Sequence, residues 1–461
     1  MSYFRRRVRR RRLTIFILIV ALLLGTAIYF LVRSPGPQQT SGNPMMTLEP
    51  EANRTPRPLP TFEPGQAAPI IDESQWDGMD DATLKNAALS SAYTLVDQGK
   101  VSEATALLEK AAERLPGDTD IADILPRYQK ATSQEQELEP YNGLIHHLFT
   151  HCLIAYPDLS LELGGAAKDL WIDCITPLEF ERILNSLYEK NYILIDIHDI
   201  ISNPSGDGEN YEFADLELPK GKTPLILSFD DVVYDSKKMG RGMVDKLVLT
   251  EDGKVATYTK LADGTEETRL DNEFVPILNQ FVWDHPDFSF KGVKGTFCLT
   301  GFEGILGYRT QSDTPLDREA EKAEALKVVA RLKEMNWNFA SHSYGHRWMN
   351  KRDIDLIRED TQSWEDEVEP LLGDENELVF VWPYGDRIKP GDPKYQVLKD
   401  AGFRLFCGVG GKAYNLPESD GTLFMDRGAM DGTSLWHYQN IYSIYFDVDA
   451  VRDPKRPNLD N

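Results

Sequence analysis

Residues 324–346 read EALKVVARLKEMNWNFASHSYGH, and this stretch decides the fold class. Apolar residues recur at helical spacing up to about residue 335, and the apolar run NFASH (338–342) predicts a strand. His342 ends that run, and His346 follows four residues later. A helix that leads into an apolar strand with polar residues at its carboxyl end is typical of α/β proteins whose site lies at the strand ends.

The same alternation of strands and helices extends over residues 140–445 and predicts a parallel α/β sheet or barrel. Residues 232–294 interrupt it, and we expect an insertion beside the site, with a hairpin that turns at 251–253. The predicted helices are 176–190, 317–335, 353–372 and 392–401. The predicted strands are GLIHHLF (143–149), YILIDI (192–197), PLILSF (224–229), GTFCLT (295–300), NFASH (338–342), LVFVW (378–382) and FRLFCG (403–408).

The amino terminus has the pattern of a membrane anchor. Residues 13–32 contain 20 uncharged residues, and at roughly 1.5 Å per residue a helix of that length spans about 30 Å, the thickness of a bilayer core. The arginine-rich tail 1–12 is expected to stay in the cytoplasm, which places the rest of the chain outside the cell membrane. The alternative is a cleaved signal peptide ending near 25–27, but the apolar run continues beyond that point.

Two segments separate this anchor from the α/β region. Residues 33–80 are rich in Pro, Gly, Ser, Thr and Glu, which predicts a disordered linker. Residues 81–135 have helical periodicity, and a further helix is expected at about 119–131. Because a single repeat is too short for a solenoid, we expect a helical neck or a small module that docks a protein partner. The positions typical of a tetratricopeptide repeat are Ala92, Gly99, Ala104, Leu108, Ala111 and Pro116.

Composition excludes one class of partner. The formal net charge is −24, from 74 acidic and 50 basic residues, and seven of the arginines lie in the first twelve positions. Because nucleic-acid binding needs a basic face, no nucleic-acid partner is expected. The four cysteines show no C-x-x-C spacing, so we expect buried free thiols, with a Cys152–Cys174 bridge as the alternative.

Three short motifs carry the chemistry, and each follows a predicted strand. They are SFDD (228–231), SHSYGH (341–346) and VWPYGD (381–386). Taken alone, each has an ordinary structural explanation as a helix cap, a chance histidine pair or a turn. Together and in this order they indicate a metal centre, because imidazoles four residues apart and a carboxylate are ligands that zinc and similar ions prefer.

The motifs resemble those of the polysaccharide deacetylases with a NodB-homology domain, carbohydrate esterase family four. SFDDV (228–232) is similar to the first motif of that family, HSYGH (342–346) matches the second in full, and VWPY (381–384) matches half of the third. The segments 175–200 and 294–301 are similar to the family's flanking segments, and 175–200 resembles the branch of poly-N-acetylglucosamine deacetylases. The resemblance implies a distorted parallel (β/α) barrel of the NodB-homology type over 140–445.

The resemblance also implies roles for individual residues. Asp231, His342 and His346 would bind a divalent metal ion, with Zn²⁺ as the expected ion. Asp230 would be the general base, and the backbone N–H of Tyr384 would bind the oxyanion. His437 would protonate the leaving amine, with an ordinary packed histidine as the alternative. The aromatic side chains of Trp382 and Tyr384 would stack on the sugar substrate.

The sequence departs from the family pattern in two places. Val232 replaces the glycine of the first motif, and Val381 replaces the arginine of the third, which orients the general base in the family. Our hypothesis is that Arg427, on a later strand, supplies the missing charge. Three further histidines, His146, His147 and His151, either line the pocket or belong to the core.

The predicted function is metal-dependent hydrolysis of N-acetyl groups on a cell-envelope or extracellular polysaccharide. Two alternatives use the same sequence features. One is an O-acetyl esterase acting on a glycan with the same metal chemistry. The other is a catalytically silent glycan-binding scaffold protein, which the departures at Val232 and Val381 would permit.

Overall fold

The computed structural model describes residues 69–373, 377–411 and 413–458. The helices are α1 (Asp81–Asp97), α2 (Val101–Arg114), α3 (Thr119–Glu135), α4 (Pro157–Leu163), α5 (Ala166–Asp173), α6 (Pro177–Glu189), α7 (Phe274–Asp284), α8 (Arg318–Glu334), α9 (Ile354–Glu367), α10 (Glu369–Leu372), α11 (Pro393–Asp400), α12 (Gly432–His437), α13 (Gln439–Tyr442) and α14 (Val448–Val451). The strands are β1 (Leu138–Tyr141), β2 (His146–His151), β3 (Tyr192–Leu194), β4 (Ile201–Ser202), β5 (Glu212–Phe213), β6 (Leu216–Pro219), β7 (Thr223–Asp230), β8 (Lys246–Leu249), β9 (Val255–Lys260), β10 (Glu266–Arg269), β11 (Thr296–Leu299), β12 (Asn338–Ser341), β13 (Val379–Val381), β14 (Leu405–Val409), β15 (Tyr414–Pro417) and β16 (Leu423–Ala429).

Seven parallel strands close into a barrel in the order β2, β7, β11, β12, β13, β14 and β16, and β16 pairs with β2 to complete the ring. This confirms the predicted α/β barrel. The run at 192–197 forms β3, which pairs with the amino-terminal part of β7 outside the closed ring. The closing strand β16 was not among the predicted apolar runs, because Asp426 and Arg427 interrupt its apolar pattern.

The strands divide the core into two apolar layers. Side chains such as Ile226, Ala340 and Met425 form a cluster drawn from the barrel strands and lie inside the barrel. Their neighbours in sequence, such as Phe229 and Phe339, point outward and pack against the surrounding helices. The four cysteines are buried free thiols, so the expectation for them is confirmed and the alternative disulfide is not formed.

Helices form where the sequence predicted them around the barrel. Helix α6 begins with a capping box in which Thr176 and Glu179 satisfy each other's backbone N–H groups, and Pro177 occupies its first turn. One face of α6 is fully buried, including Phe180 and Leu184. Burying side chains of that size contributes about 1.5–3 kcal/mol each, which fixes the helix against the barrel.

The amino-terminal helices α1, α2 and α3 pack against one another and against the barrel. Ala92, Ala104 and Ala111 are completely buried, as close packing of helices requires. Asp97 at the end of α1 binds Lys294 of the barrel at 2.8 Å, and both side chains are buried. The helices therefore share a core with the barrel, whereas the sequence suggested a separate neck. A protein partner for this module stays a prediction.

The prediction of a disordered linker over residues 33–80 is wrong for the carboxyl end of that stretch. Trp76 is buried against the helices, and the N–H of Ile71 donates to Ser91 Oγ at 2.9 Å. A large indole provides enough apolar surface to hold this segment in place. The rest of the linker, the predicted anchor 13–32 and the tail 1–12 lie outside the described residues. Within the described ranges, no helix combines the length and the apolar character that crossing a membrane requires.

The predicted insertion 232–294 contains two different parts. Strands β8, β9 and β10 form a three-stranded antiparallel sheet, which includes the predicted hairpin. Helix α7, however, is the crossover between the neighbouring barrel strands β7 and β11. The ring of Phe274 in α7 stacks on Phe229 of β7 at 3.9 Å between centroids. The insertion therefore ends before α7, and its predicted end at residue 294 was placed too far along the chain.

Candidate active site at the carboxyl ends of the barrel strands

The barrel directs three polar side chains towards one point. Alternate residues of a strand point to the same side, so Asp230 follows the inward-facing Ile226 and Ser228 of β7. By the same rule His342 continues the inward face of β12, and Arg427 continues that of β16. All three strands are parallel, and their carboxyl ends therefore meet at one end of the barrel.

Asp231, His342 and His346 form a cluster with the geometry of a metal site. One ligand atom from each residue can be chosen so that all three lie within 4.8 Å of one another. Asp231 Oδ1 is 3.6 Å from His346 Nε2 and 4.0 Å from His342 Nε2. This oxygen is buried and has no hydrogen-bond partner among the residues that the structure describes, which is costly unless a cation satisfies it. The residues present thus fit a divalent ion such as Zn²⁺.

The imidazole of His342 is oriented by a backbone carbonyl. Its Nδ1 lies 3.0 Å from the carbonyl oxygen of Val381, so Nδ1–H donates and the Nε2 lone pair is free to face the cluster. Val381 itself is fully buried. The position that lacks the arginine of the family therefore contributes through its backbone, because the carbonyl needs no particular side chain.

The backbone at this site is strained. Asp231, Ser343, His346 and Tyr384 all have left-handed φ values, of 57°, 56°, 48° and 57° respectively. Each such conformation costs on the order of 1–3 kcal/mol in a residue other than glycine, and surrounding contacts must stabilise it. Strain of this kind concentrates at functional sites, and here it affects two of the three metal-ligand candidates.

Asp360 of helix α9 stabilises the turn between the two histidines. Its carboxylate accepts hydrogen bonds from the N–H groups of Tyr344 at 2.9 Å and Gly345 at 2.8 Å. The Tyr344 carbonyl accepts in turn from the N–H of Gly301 at 2.9 Å. These bonds join the turn to two other elements of the barrel, so the second histidine is placed by tertiary contacts as well as by its spacing.

Arg427 forms a bidentate ion pair with Asp230. Nη1 and Nη2 of Arg427 donate to the two carboxylate oxygens at 2.7 and 2.9 Å, and both side chains are buried. Burial alone would raise the pKa of Asp230, but the Arg427 guanidinium, with His342 and His151, holds it well below its usual range. The arrangement is the one that the hypothesis for Arg427 required.

The three early histidines lie in different environments. His146 packs between the rings of Tyr192 and Tyr445 near the opposite end of the barrel. His147 is buried and lies 2.8 Å from Ser228 Oγ, and burial lowers its pKa far below the usual value. His151 lines the same cleft as the metal cluster.

His151 is a site residue for which the sequence left two interpretations open. Its Nδ1 lies 2.9 Å from the carbonyl oxygen of Asp173, so Nδ1–H donates there and Nε2 remains for the cleft. It occupies the last position of β2, on the same face of the strand as His147. The strand was predicted to end at residue 149, and the two extra residues carry this histidine to the carboxyl end of the barrel.

His437 does not reach the cleft. It lies at the end of helix α12 and is exposed, and it is not among the residues that line the cleft. The short pattern around it was similar to a family motif, but α12 turns the side chain towards solvent. The role predicted for His437 is therefore not supported by its position.

The aromatic prediction is half corrected. Trp382 belongs to the lining of the cleft, but it is completely buried and its indole stacks on Phe406 at 5.5 Å, so it exposes no face on which a sugar could stack. It has the outward parity of Phe380, which points at the helices. Tyr384 is 52% exposed and stacks on Trp348, which is 39% exposed, at 4.3 Å between centroids. The exposed ring that lines the cleft is thus that of Tyr384, supported by Trp348, a residue that the sequence had not singled out.

The cleft around these groups has a volume of about 480 Å³. It opens at the carboxyl end of the barrel, and segment 235–241 of the insertion forms part of its wall. With the paired Asp230, the metal cluster and His151 all facing it, the cleft contains the groups that hydrolysis of an acyl group requires.

Residues 288–406 match the family model for polysaccharide deacetylase. The matched segment is thus similar to a polysaccharide deacetylase domain, and it contains both histidines of the cluster. No curated protein sequence shows a significant match to the chain.

Several solved structures are similar to it. The deacetylase PplD of Streptococcus pyogenes in complex with acetate has 15% identity, a TM-score of 0.38, and a match over 64% of this chain and 94% of that one. A polysaccharide deacetylase from Bacillus cereus has 14% identity, a TM-score of 0.35, and a match over 68% and 70%. IcaB from Ammonifex degensii has 14% identity, a TM-score of 0.35, and a match over 64% and 94%.

Proposed function

We propose that this protein hydrolyses N-acetyl groups on a cell-envelope or extracellular polysaccharide, with a divalent metal ion bound by Asp231, His342 and His346. The observation that carries the proposal is the convergence of these three ligand groups beside the Asp230–Arg427 pair. Zn²⁺ is the expected ion because two imidazoles and a carboxylate suit it. When bound, such an ion lowers the pKa of a coordinated water and polarises the acetyl carbonyl.

Asp230 is the group that accepts the proton of the attacking water. Its low pKa keeps the carboxylate ionised at neutral pH, so it is always in the form that can accept. Arg427 holds both carboxylate oxygens, which fixes the orientation of the base. The Oδ2 atom lies 3.7 Å from His342 Nε2, so the base stands directly beside the metal ligands.

His151 is the proposed donor of a proton to the departing amine, in place of His437. Its Nδ1–H bond to the Asp173 carbonyl leaves Nε2 facing the cleft, where a protonated ring can release a proton to the amine. The N–H of Tyr384 is the proposed donor to the oxyanion, and its left-handed backbone sets the direction of that group. The stacked rings of Tyr384 and Trp348 are the proposed contact for the sugar.

The location of the enzyme is part of the proposal. Anchoring by residues 13–32 with a cytoplasmic tail would place the catalytic domain outside the membrane, next to the envelope polysaccharide. The acidic net charge is compatible with a soluble domain that acts on a polymer in that compartment.

The proposal is tested by metal analysis and acetate release with the purified chain. We expect about one metal ion per chain, and acetate from N-acetylglucosamine oligomers that a chelator abolishes and added Zn²⁺ restores. His342→Gln should remove the metal and reduce turnover at least about 100-fold, because it deletes a ligand. His437→Gln is the matched control and should retain both.

Two other outcomes would select the alternatives. Acetate released from O-acetylated xylan but not from N-acetylated oligomers would show an esterase. A folded chain that binds no metal and releases no acetate from either polymer would contradict the enzymatic proposal and leave the glycan-binding scaffold.

A further inference from the structure

One wall of the cleft is positively charged although the chain as a whole carries a net charge of −24. Segment 235–241 follows the metal-ligand candidate Asp231 and belongs to the insertion. It brings three basic side chains to the cleft, those of Lys237, Lys238 and Arg241. This wall therefore has a local charge opposite to the overall charge of the protein. Such a local positive charge favours the binding of a negatively charged ligand.

Two of these three cations have no partner of their own. Lys238 binds Asp235 at 3.2 Å. Burial by itself would lower the pKa of Lys238, but the nearby carboxylates of Asp231 and Asp235 raise that pKa above its usual value. The side chains of Lys237 and Arg241 are exposed. Neither makes an ion pair or a side-chain hydrogen bond with another residue in the described ranges of the chain.

The backbone that carries these cations is fixed rather than loosely attached. Arg309 donates to the carbonyl oxygens of Val233 at 3.1 Å and Tyr234 at 2.7 Å. The N–H and Oγ of Ser236 donate to the carboxylate of Glu303 at 2.7 and 3.0 Å. A charge held on a preorganised segment loses less entropy on binding than one on a free loop, so it contributes more to recognition.

The end of the segment is anchored as well. The carbonyl of Gly242 accepts from the N–H of Tyr156 at 2.8 Å. A Cβ at Gly242 would lie 2.9 Å from Ser160 Cβ, and its φ is +108°, so only glycine permits this close approach to α4. The cationic wall is therefore held at both ends.

The acidic side chains of the cleft do not neutralise Lys237 and Arg241. Asp235 is bound to Lys238, and Asp431 accepts from the N–H of Ser434 as a helix cap. The carboxylates of Asp169 and Asp173 on α5 make no ion pair with another described residue, but they belong to the His151 side, because His151 binds the carbonyl of Asp173. Unpaired positive charge thus lies on the insertion side of the cleft. Unpaired negative charge lies on the His151 side, where the proposed reaction would release its amine.

We propose that the substrate is an acidic glycan, in which an anionic group next to the N-acetylated sugar binds Lys237 and Arg241. This inference rests on the proposed deacetylase function and adds the charge class of its substrate. A carboxylate and a phosphate have the required chemistry in common, since both pair with exposed ammonium and guanidinium groups. The carboxylates of Asp169 and Asp173 on α5 suit the product of the reaction, because deacetylation converts the neutral acetamide into a positively charged sugar ammonium.

The test compares three oligosaccharides at low and high salt: neutral N-acetylglucosamine oligomers, oligomers alternating N-acetylglucosamine with glucuronate, and phosphodiester-linked N-acetylhexosamine oligomers. We expect kcat/KM for at least one acidic substrate to exceed that for the neutral one about fivefold at low salt, because each exposed ion pair contributes a factor of roughly 1.4 to 5. The preference should shrink as salt screens it. Which acidic substrate is preferred identifies carboxylate or phosphate as the ligand.

The double substitution Lys237→Gln with Arg241→Gln should bring the ratio of acidic to neutral kcat/KM close to one. Lys220→Gln is the matched control, because Lys220 is exposed, has no ion pair among the described residues and precedes β7 at the other end of the barrel. It should leave the ratio unchanged. Equal rates on acidic and neutral oligomers for the unaltered chain, or a preference that survives in the double variant, would overturn the inference.

A binding measurement separates this inference from the proposed function. If the chain releases no acetate from any oligomer, the deacetylase proposal fails, but calorimetric titration with the glucuronate and phosphodiester oligomers still applies. Salt-sensitive binding that the double variant loses and Lys220→Gln keeps would support an acidic ligand. Absence of such binding together with absence of turnover would reject both proposals.

Discussion

Asp230 and Arg427 are 197 positions apart in the sequence and form a buried, bidentate ion pair. Both belong to the inward face of a barrel strand, and at the carboxyl ends all inward faces converge. An arginine on any of several strands could therefore reach the same carboxylate. This geometry explains how a chain with Val381 at the family's arginine position can still pair its base.

Replacing Arg427 with Met should leave Asp230 as a buried charge without a partner. We expect a loss of about 3–5 kcal/mol in the free energy of unfolding and a kcat reduced at least about tenfold. Because Arg427 depresses the pKa of Asp230, that pKa should rise in the variant and the acid limb of the pH–rate profile should move to higher pH. Urea unfolding and pH profiles measure these effects.

The control for this substitution is Arg358→Met, which removes an exposed arginine paired with Asp355. Exposed pairs of this kind contribute only about 0–1 kcal/mol, so stability and the pH profile should barely change. An Arg427→Met chain with an unaltered acid limb would show that Arg427 does not act on the base.

A second prediction at the scale of single residues concerns the protonation of His346. Burial lowers its pKa to about 4, and the attraction of Asp231 opposes this only in part. Metal binding requires the neutral imidazole, so protons compete with the metal at His346 only as pH falls towards 4, well below the usual histidine value near 6.5. NMR titration of the His346 imidazole in the metal-free chain should therefore find this ring neutral between pH 7 and about 5.5. Protonation of the His346 ring already between pH 7 and 6 would contradict this.

At the scale of elements, helix α9 controls the turn that carries the second histidine. The side chain of Asp360→Asn keeps one acceptor oxygen, but its NH₂ group replaces the other. One of the two N–H donors, Tyr344 or Gly345, therefore loses its acceptor. We expect metal affinity to fall about 10–100-fold, the usual effect of losing a group that orients a ligand, while the fold persists. Asp366→Asn, on the exposed side of the same helix, should leave affinity unchanged. Equal affinities of the two variants would mean that the turn is stable without Asp360.

At the scale of the whole molecule, one buried ion pair joins the amino-terminal helices to the barrel. Lys294 Nζ binds Asp97 Oδ1 at 2.8 Å, and the indole N–H of Trp283 donates to the same oxygen at 2.9 Å. Tyr128 of α3 adds a hydrogen bond from its hydroxyl to the Trp283 carbonyl at 3.0 Å. These buried polar contacts couple the two parts into one structure, since either side alone would leave polar groups unsatisfied.

Lys294→Met should therefore destabilise the chain by about 3–5 kcal/mol, because it leaves Asp97 buried and unpaired. Adding Asp97→Asn should recover part of that loss, since the neutral amide removes the unpaired charge while its oxygen still accepts from the Trp283 indole N–H. Urea unfolding followed by circular dichroism measures both. Lys327→Met, which removes an exposed pair with Glu324, is the control. A Lys294→Met chain as stable as the control would show that the helices and barrel are not coupled through this pair.

The sequence by itself determined the features that depend on short stretches. Helices at 176–190 and 317–335 and most barrel strands follow from periodicity, which a dozen residues express. Asp231, His342 and His346 could be selected because each motif directly follows its own strand, and parallel strands bring their carboxyl ends together whatever the details of packing.

Only the tertiary structure decided the features that depend on barrel closure and side-chain parity. Parity buried the Trp382 indole and left Tyr384, stacked on Trp348, exposed at the cleft. Two further residues of β2 brought His151 to the site, whereas α12 turned His437 to solvent. Such outcomes rest on contacts between residues far apart in the chain, and no local pattern encodes which side chains those contacts bury.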